Sequence, residues 1–241
     1  MDRKKEFLKI VKLAQRSLKE EKFLGYTDVI FASKVNPSNP PLKIDKSKSD
    51  KLLKLEKEVS GCKKCTLCKS RIKTVFGEGS SDAKVIFIGE GPGYDEDRAG
   101  RPFIGRAGQL LTKIIESIGL KREEVFIANI VKCHPMINPD TPDARGNDRP
   151  PSKEEMESCM PYLEKQIEII NPAVLVTLGN SSTSALLNTF EGISRLRGKF
   201  QNYKGSKLLP MYHPSALLRN PALKVDTWHD MKMLKKELGL K

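Results

Sequence analysis

From Lys84 onward, short apolar runs alternate with longer segments in which apolar residues recur at helical spacing. Four of the short runs predict strands that are buried on both faces: KVIFIG (84–89), VFIANIV (125–131), AVLVTLG (173–179) and KLLPMY (207–212). The helical segments lie at 107–118, 156–170 and 226–238. Strands that alternate with helices predict an α/β fold, here a three-layer sandwich around a central, mainly parallel four-stranded sheet.

The first quarter of the chain has a different pattern. Apolar residues recur at helical spacing between Phe7 and Leu18, and they are followed by NPSNPPLKIDKSKSD, which has no core-forming pattern. Asp50 is predicted to cap a short helix that stops at Gly61. We therefore predict a basic helical N-terminal extension and linker over residues 1–50, and a folded domain over residues 51–241.

Charge and composition narrow the class of partner. The chain holds 43 Lys and Arg against 30 Asp and Glu, a net charge of +13 that favours a polyanion such as nucleic acid. A merely lysine-rich composition is the alternative explanation. The longest apolar runs are far shorter than a membrane span, and the charged N-terminus has no apolar signal segment. These features predict a cytoplasmic protein that has no membrane partner.

Polar residues follow the predicted strands at one edge of the sheet. The first strand leads into Glu90, the second contains Asn129 near its end, and the fourth leads into His213. Because ligands of parallel sheets bind beyond the carboxyl ends of the strands, these three side chains predict one site. Each also has a simpler explanation, since an acid in a turn or a histidine at a strand end is often structural.

Two loop segments could contribute to this site. GEGPGYDEDRAGRPFIG (89–105) lacks the Lys of a phosphate-binding loop and the third glycine of a dinucleotide fingerprint, so we interpret it as a turn that brings backbone N–H groups near a ligand. In HPSALLR (213–219), a leucine pair beside Arg219 is typical of an apolar wedge that enters the minor groove of DNA. A helix packed on the core is the alternative for the second segment.

The five cysteines indicate a metal site whose metal the spacing leaves open. Cys62, Cys65 and Cys68 form a tight group, whereas Cys133 and Cys159 lie far downstream. The spacing fits neither a zinc ribbon nor a bacterial ferredoxin run. Four thiolates from three separate elements suit zinc or an iron–sulfur cluster, and a cytosolic location disfavours disulfides.

Three motifs together resemble a known family. GEGPGYDEDRAGRPFIGRAG, ANIVKC and HPSALLRNP occur in the order found in the family 4, iron–sulfur, uracil-DNA glycosylases, and the resemblance spans roughly residues 60–238. It implies the uracil-DNA glycosylase fold and a 4Fe-4S cluster. The cluster ligands that it implies are Cys62, Cys65, Cys133 and Cys159, which leaves Cys68 as a spare thiol. The segment 134–151 looks longer than is common in this family.

The resemblance also implies roles around a flipped uracil base. Glu90, Asn129 and His213 would be catalytic: Asn129 reads the O4 and N3 edge, and His213 donates a hydrogen bond toward O2. Whether Glu90 is a general base or an electrostatic group stays open, as does the protonation state of His213.

Other residues would bind the base and the DNA strand. The backbone of Gly91 and Pro92 would approach the base, Phe103 would stack on it, and Glu96 would exclude a 5-methyl group. Contacts with DNA would come from three residues: Ser215, Leu217 and Arg219.

The function implied by the resemblance is base-excision repair. A monomer would flip uracil out of single- or double-stranded DNA and hydrolyse the N-glycosidic bond, which leaves an abasic site. One alternative is a superfamily member that forms a covalent adduct through a histidine in an Arg-rich insertion, for which His134 is the nearest candidate. The other alternative is a metal-stabilised module that binds DNA without turnover.

Overall fold

The computed structural model describes residues 46–240, so the predicted helix between Phe7 and Leu18 and most of the predicted extension lie outside the described residues. The described elements begin with helix α1 (Lys46–Ser60), a 3-10 turn (Thr66–Lys69), β1 (Glu78–Gly79), β2 (Val85–Gly89), α2 (Tyr94–Ala99) and α3 (Arg106–Glu116). A second 3-10 turn (Arg122–Glu124) precedes β3 (Phe126–Asn129), and α4 (Lys153–Ile170) leads to β4 (Val174–Leu178). The chain continues through α5 (Asn180–Leu187), α6 (Ile193–Leu196), β5 (Gln201–Tyr203), β6 (Ser206–Met211), α7 (Pro214–Arg219) and α8 (Leu223–Glu237).

The sheet confirms the predicted α/β class, with a larger number of strands. The four predicted strands are parallel neighbours in the order β3-β2-β4-β6. The prediction of four strands was incomplete, because β1 and β5 add short antiparallel strands at the two edges and make a six-stranded sheet. Both edge strands are only two or three residues long, too short for a periodic pattern to reveal.

Helices cover both faces of the sheet, as the three-layer prediction requires. Alternate residues of one strand enter different cores: Ile86 and Ile88 of β2 pack with α1 and α4, whereas Val85 and Phe87 pack with α3 and α8. All five residues of β2 and of β4 are buried, which explains their continuous apolar sequences.

The ends of the helices follow the capping signals in part. Ser152 caps α4, since its Oγ accepts a hydrogen bond from the backbone N–H of Glu155 at 3.2 Å and its own N–H donates to the Glu155 carboxylate at 2.8 Å. The predicted cap at Asp50 is wrong, because α1 is already helical from Lys46. Its buried residues Leu52, Leu55 and Val59 attach this first helix to the core.

Candidate active site and cysteine cavity

A cleft of about 450 Å³ opens at the carboxyl ends of the parallel strands. The residues that line it come from the turn after β2, the end of β3, the loop before α3, and α7 with the residue before it. Most of the predicted base-binding and DNA-binding residues lie there: Glu90, Gly91, Pro92, Glu96, Phe103, Asn129, His213, Ser215 and Arg219. The strand order therefore brings together side chains that are more than 120 positions apart in the sequence.

Asn129 presents an unsatisfied acceptor to this cleft. Its side chain is 2% exposed, and its Oδ1 atom has no hydrogen-bond partner among residues 46–240. A buried amide oxygen without a partner costs free energy, so it marks a place where a ligand donor fits. Gly89 makes this geometry possible, because a Cβ atom there would collide with Asn129 Oδ1 and would approach Phe103 Cζ to 2.5 Å.

Phe103 forms an aromatic wall of the cleft in an unusual backbone conformation. Its φ of 50° lies in the left-handed region, which is uncommon for an aromatic residue and clusters at functional sites. The backbone of Phe103 lies directly against Gly108 of α3, where any side chain would overlap the Phe103 carbonyl. The Phe103 and His213 rings are tilted by 37° with centroids 5.7 Å apart, so they face the same space.

His213 is held as a neutral imidazole that points one nitrogen toward the cleft. Its Nδ1 atom accepts a hydrogen bond from the Ser215 backbone N–H at 3.1 Å and lies 2.7 Å from Ser215 Oγ. Burial, together with a smaller effect of the positive charge of Arg219, lowers the pKa of His213 to about 4. Because Nδ1 is an acceptor, the proton of the neutral ring lies on Nε2. The histidine can therefore donate one hydrogen bond from Nε2.

Glu90 and Glu96 of the first motif have different surroundings. The Glu96 carboxylate accepts hydrogen bonds from the backbone N–H groups of Gly93 at 3.2 Å, Ile104 at 2.9 Å and Gly105 at 3.0 Å. It thus fixes the loop that carries Phe103, a positioning contact that the sequence did not reveal. Glu90, by contrast, lines the cleft and has no side-chain hydrogen bond within the described range.

The cysteines converge on a second, much narrower cavity. All five thiols line it: Cys62, Cys65, Cys68, Cys133 and Cys159. None of them forms a disulfide. The cavity lies between the segment after α1, the segment after β3 and one face of α4. Cys68, which we predicted to be a spare thiol, faces the same space as the four predicted ligands.

Hydrogen-bond donors surround these sulfur atoms. Arg71 Nη1 donates to Cys133 Sγ at 3.3 Å, and the backbone N–H of Lys132 donates to Cys159 Sγ at 3.3 Å. Burial raises the pKa of Cys133 to about 12 and also raises that of Cys159, which is the opposite of what a nucleophilic thiol needs. The cavity is therefore suited to ligands rather than to a reactive cysteine.

A single metal ion does not fit this arrangement. Within residues 46–240, no three or more His, Cys, Asp and Glu side chains are grouped so that they could hold a metal ion. A 4Fe-4S cubane distributes its four cysteines over separate irons, so its sulfurs stand farther apart than the ligands of one zinc ion. Several thiols on one cavity, two of them buried and accepting N–H donors, are chemically suitable for such a cluster.

Sequence comparison places these sites in a family. The model of the uracil DNA glycosylase superfamily matches residues 76–232, which contain the whole cleft. The chain belongs to the uracil DNA glycosylase superfamily. It is 43% identical over 195 residues to the type-4 uracil-DNA glycosylase of Sulfurisphaera tokodaii, covering 77% of this chain and 84% of that protein. The type-4 enzymes of Saccharolobus solfataricus and Thermotoga maritima are each 44% identical, over 80% and 66% of this chain and 88% and 80% of their own lengths.

The long loop 134–151 forms one wall of this glycosylase-type cleft, a role that the sequence did not suggest. Pro135, Asp148 and Arg149 line the cleft, together with the two prolines that follow. The loop is attached to α4, since Arg149 donates two 2.8 Å hydrogen bonds to the Glu155 carboxylate. The proline-rich ends of the segment were the available signal, because such ends stiffen a loop.

His134 does not reach the cleft of this superfamily member. Its side chain is fully buried, and its Nε2 atom lies 2.5 Å from Asp148 Oδ1. Its Nδ1 atom has no hydrogen-bond partner within the described residues. A nucleophile for a covalent adduct must contact the sugar, and the placement of His134 does not allow this contact.

The predicted position of the leucine wedge requires a correction. Leu217 is 1% exposed and packs inside the protein, so its side chain is not at the surface that DNA would meet. Leu218 is 40% exposed and follows it on the same short helix α7. The pattern of two consecutive leucines could not show which one faces the core, because α7 is too short for a periodicity to be measured.

Proposed function

We propose that this protein is a uracil-DNA glycosylase that hydrolyses the N-glycosidic bond of deoxyuridine in DNA and leaves an abasic site. The unpaired Oδ1 atom of Asn129, buried at the base of the cleft, is the observation that carries this proposal. An asparagine amide matches uracil because Oδ1 accepts from N3–H and Nδ2 donates to O4. Cytosine reverses this donor and acceptor pattern, so it leaves the buried amide unpaired.

The other cleft residues suit a flipped base. The Phe103 ring offers a stacking face, and Glu90, Gly91 and Pro92 border the same space. A base must leave the DNA stack before its glycosidic bond can be reached, which costs a few kcal/mol. Stacking and hydrogen bonds inside the cleft offset that cost.

The reaction separates charge, and two residues are suited to stabilise it. When the bond between C1′ and N1 breaks, both electrons stay on the base and negative charge develops on O2. His213 donates from Nε2 to this oxygen, and because the ring is already neutral, no proton must be lost first. Glu90 stabilises the positive sugar and orients the water whose oxygen adds to C1′, and the proton that this water loses neutralises the uracil anion. Loss of one such preorganised donor costs about 100- to 1000-fold in kcat.

We further propose that Cys62, Cys65, Cys133 and Cys159 hold a 4Fe-4S cluster. When bound, the cluster supplies a structural cross-link between the segment after α1, the end of β3 and α4. The convergence of these thiols on one cavity and the N–H donors to sulfur support this assignment. The unfolded chain does not hold these four thiols together. Cluster binding would therefore stabilise the folded state.

The DNA strand would pass over the surface around α7. Ser215 and Arg219 line the cleft, and the exposed Leu218 is the side chain available to enter the stack after the uracil has left. The net charge of +13 favours DNA in either single- or double-stranded form.

No helix within residues 46–240 is both long and apolar enough to cross a membrane. We propose that the protein acts as a monomer in the cytoplasm.

Incubation with a uracil-containing oligonucleotide, followed by alkali, tests the function. Free uracil and a strand break at the uracil position are expected. An intact strand would contradict the proposal, and a slowly migrating covalent band would indicate adduct formation instead. A matched thymine-containing oligonucleotide serves as the control. An anaerobic preparation should be brown with about four irons per chain, and a colourless zinc-loaded protein would overturn the cofactor assignment.

A further inference from the structure

A buried lysine lies between the cleft and the cysteine cavity. Lys132 is 1% exposed, lines the cysteine cavity and comes three residues after Asn129 in the sequence. Fully buried lysines are rare because an ammonium without a counter-charge is costly to remove from water. Its position therefore needs a compensating partner.

The hydrogen bonds of the ammonium are made to neutral groups. Lys132 Nζ donates to the Asn129 backbone carbonyl at 2.7 Å and to Gln166 Oε1 at 2.7 Å. Gln166 is fully buried, and its Nε2 atom donates to the Phe76 carbonyl at 2.9 Å, which fixes the amide orientation. These contacts hold the ammonium directly behind the strand end that presents the Asn129 side chain.

The cysteine cavity is the place where a counter-charge for Lys132 can lie. No carboxylate within residues 46–240 forms an ion pair with Lys132, and Lys132 lines this cavity together with the five thiols. The backbone N–H of the same residue also donates to Cys159 Sγ at 3.3 Å. Four thiolates that share a cluster form a net negative group, which is the counter-charge that this lysine lacks.

We propose that Lys132 is the buried counter-charge of the cluster and, through its hydrogen bond to the Asn129 carbonyl, a positioning residue for base recognition. This inference rests on the proposed function. It explains why a cluster that takes part in no chemical step lies next to the base-reading strand. The cluster stabilises the ammonium, and the ammonium fixes the end of β3.

Arg71 provides a natural comparison. Its guanidinium donates to Cys133 Sγ at 3.3 Å and to the Ser60 carbonyl at 3.2 Å, so it also places positive charge beside the cavity. Arg71 makes no hydrogen bond to Asn129 or to any other residue of β3. Removal of Arg71 changes the charge at the cluster without a direct effect on the strand that bears Asn129.

The test compares Lys132→Met, Lys132→Gln and Arg71→Met in the brown holoenzyme, with Lys165→Met as an exposed control. Cluster reduction potential and single-turnover uracil release are measured for each protein. We expect all three variants, but not Lys165→Met, to have a more negative potential, because a lost positive charge disfavours electron uptake. Lys132→Met should also lose about 10- to 100-fold in kcat at little change in KM, whereas Lys132→Gln, which keeps an N–H donor for the Asn129 carbonyl, should lose less.

Several outcomes overturn the inference while leaving the proposed function intact. One is a Lys132→Met holoenzyme with the wild-type potential, and another is one with the wild-type kcat. If Lys132→Met does not fold, Lys132→Gln keeps a hydrogen-bond donor but no charge, so a wild-type reduction potential in Lys132→Gln overturns the inference. A kcat loss in Arg71→Met as large as in the Lys132 variants would show that charge at the cluster, rather than the hydrogen bond to Asn129, controls the cleft. Failure of the wild-type protein to release uracil would instead reject the proposed function.

Discussion

The cleft and the cysteine cavity both lie at the end of β3, yet they differ in whether their polar groups have hydrogen-bond partners. In the cleft, Asn129 keeps a buried oxygen without a partner, and His213 keeps a donor directed outward. In the cavity, the sulfurs of Cys133 and Cys159 already accept hydrogen bonds from neighbouring N–H groups. Polar groups without a hydrogen-bond partner suit a substrate that binds and dissociates. Thiols that already accept hydrogen bonds suit a permanently bound group. The contrast separates a site for chemistry from a site for structure.

The largest effect should follow removal of one cysteine ligand. We expect Cys65→Ser to lose the visible absorbance and most of the soluble folded protein, because the proposed cluster would cross-link three segments. The matched change Cys68→Ser should retain the colour and the iron content. Absorbance and iron analysis of anaerobic preparations measure both. A colourless Cys68→Ser beside a brown Cys65→Ser would exchange the roles of these two thiols.

The next effect concerns the unpaired amide in the cleft. Asn129→Ala should lose about 100- to 1000-fold in uracil release, because it removes the contacts that N3 and O4 of the base require. The brown colour should persist, since the side chain does not face the cysteines. Asn202→Ala, at an exposed position of β5, is the control and should release uracil at the wild-type rate. Wild-type turnover in Asn129→Ala would remove the cleft as the proposed site.

The two leucines of α7 are expected to have different roles, Leu217 in core packing and Leu218 in contact with DNA. Leu217→Ala should lower the free energy of unfolding by about 2–5 kcal/mol, because it leaves a cavity in the core. Leu218→Ala should leave stability unchanged and weaken uracil release from double-stranded DNA more than from a single strand. Urea unfolding and excision from both substrates distinguish them. If Leu217→Ala instead weakened uracil release from double-stranded DNA and left stability unchanged, Leu217 would be the wedge.

A smaller effect concerns the pH dependence of stability. The pKa of His213 is lowered to about 4 in the native state. Between that pH and about 6.5, the unfolded chain therefore binds a proton at this histidine and the native state does not. This histidine therefore destabilises the fold progressively as the pH falls from about 6.5 to 4, by about 3 kcal/mol in total. Urea unfolding at a series of pH values should show a shallower loss for His213→Gln than for the wild type. Identical slopes would mean that the imidazole is not buried as described.

The sequence predicted the sheet and the convergence of the cleft residues because both depend on simple rules. Apolar runs of four to six residues fixed the strands, and parallel topology brings strand ends to one edge. It did not predict the role of loop 134–151 or the bracing by Glu96, because these depend on how distant segments pack. The same limit explains the error at Leu217, where the orientation of a short helix is set by tertiary contacts. Nothing in the sequence distinguishes Lys132 from the exposed basic residues, because its burial is set by tertiary packing.

The division between the two sites is tested most directly by single-turnover uracil release from His213→Ala in its brown, iron-loaded form. The account predicts an absorbance spectrum and iron content equal to those of the wild type, with uracil release slowed by about 100- to 1000-fold. Uracil release at the wild-type rate, or loss of the cluster from this variant, would contradict it.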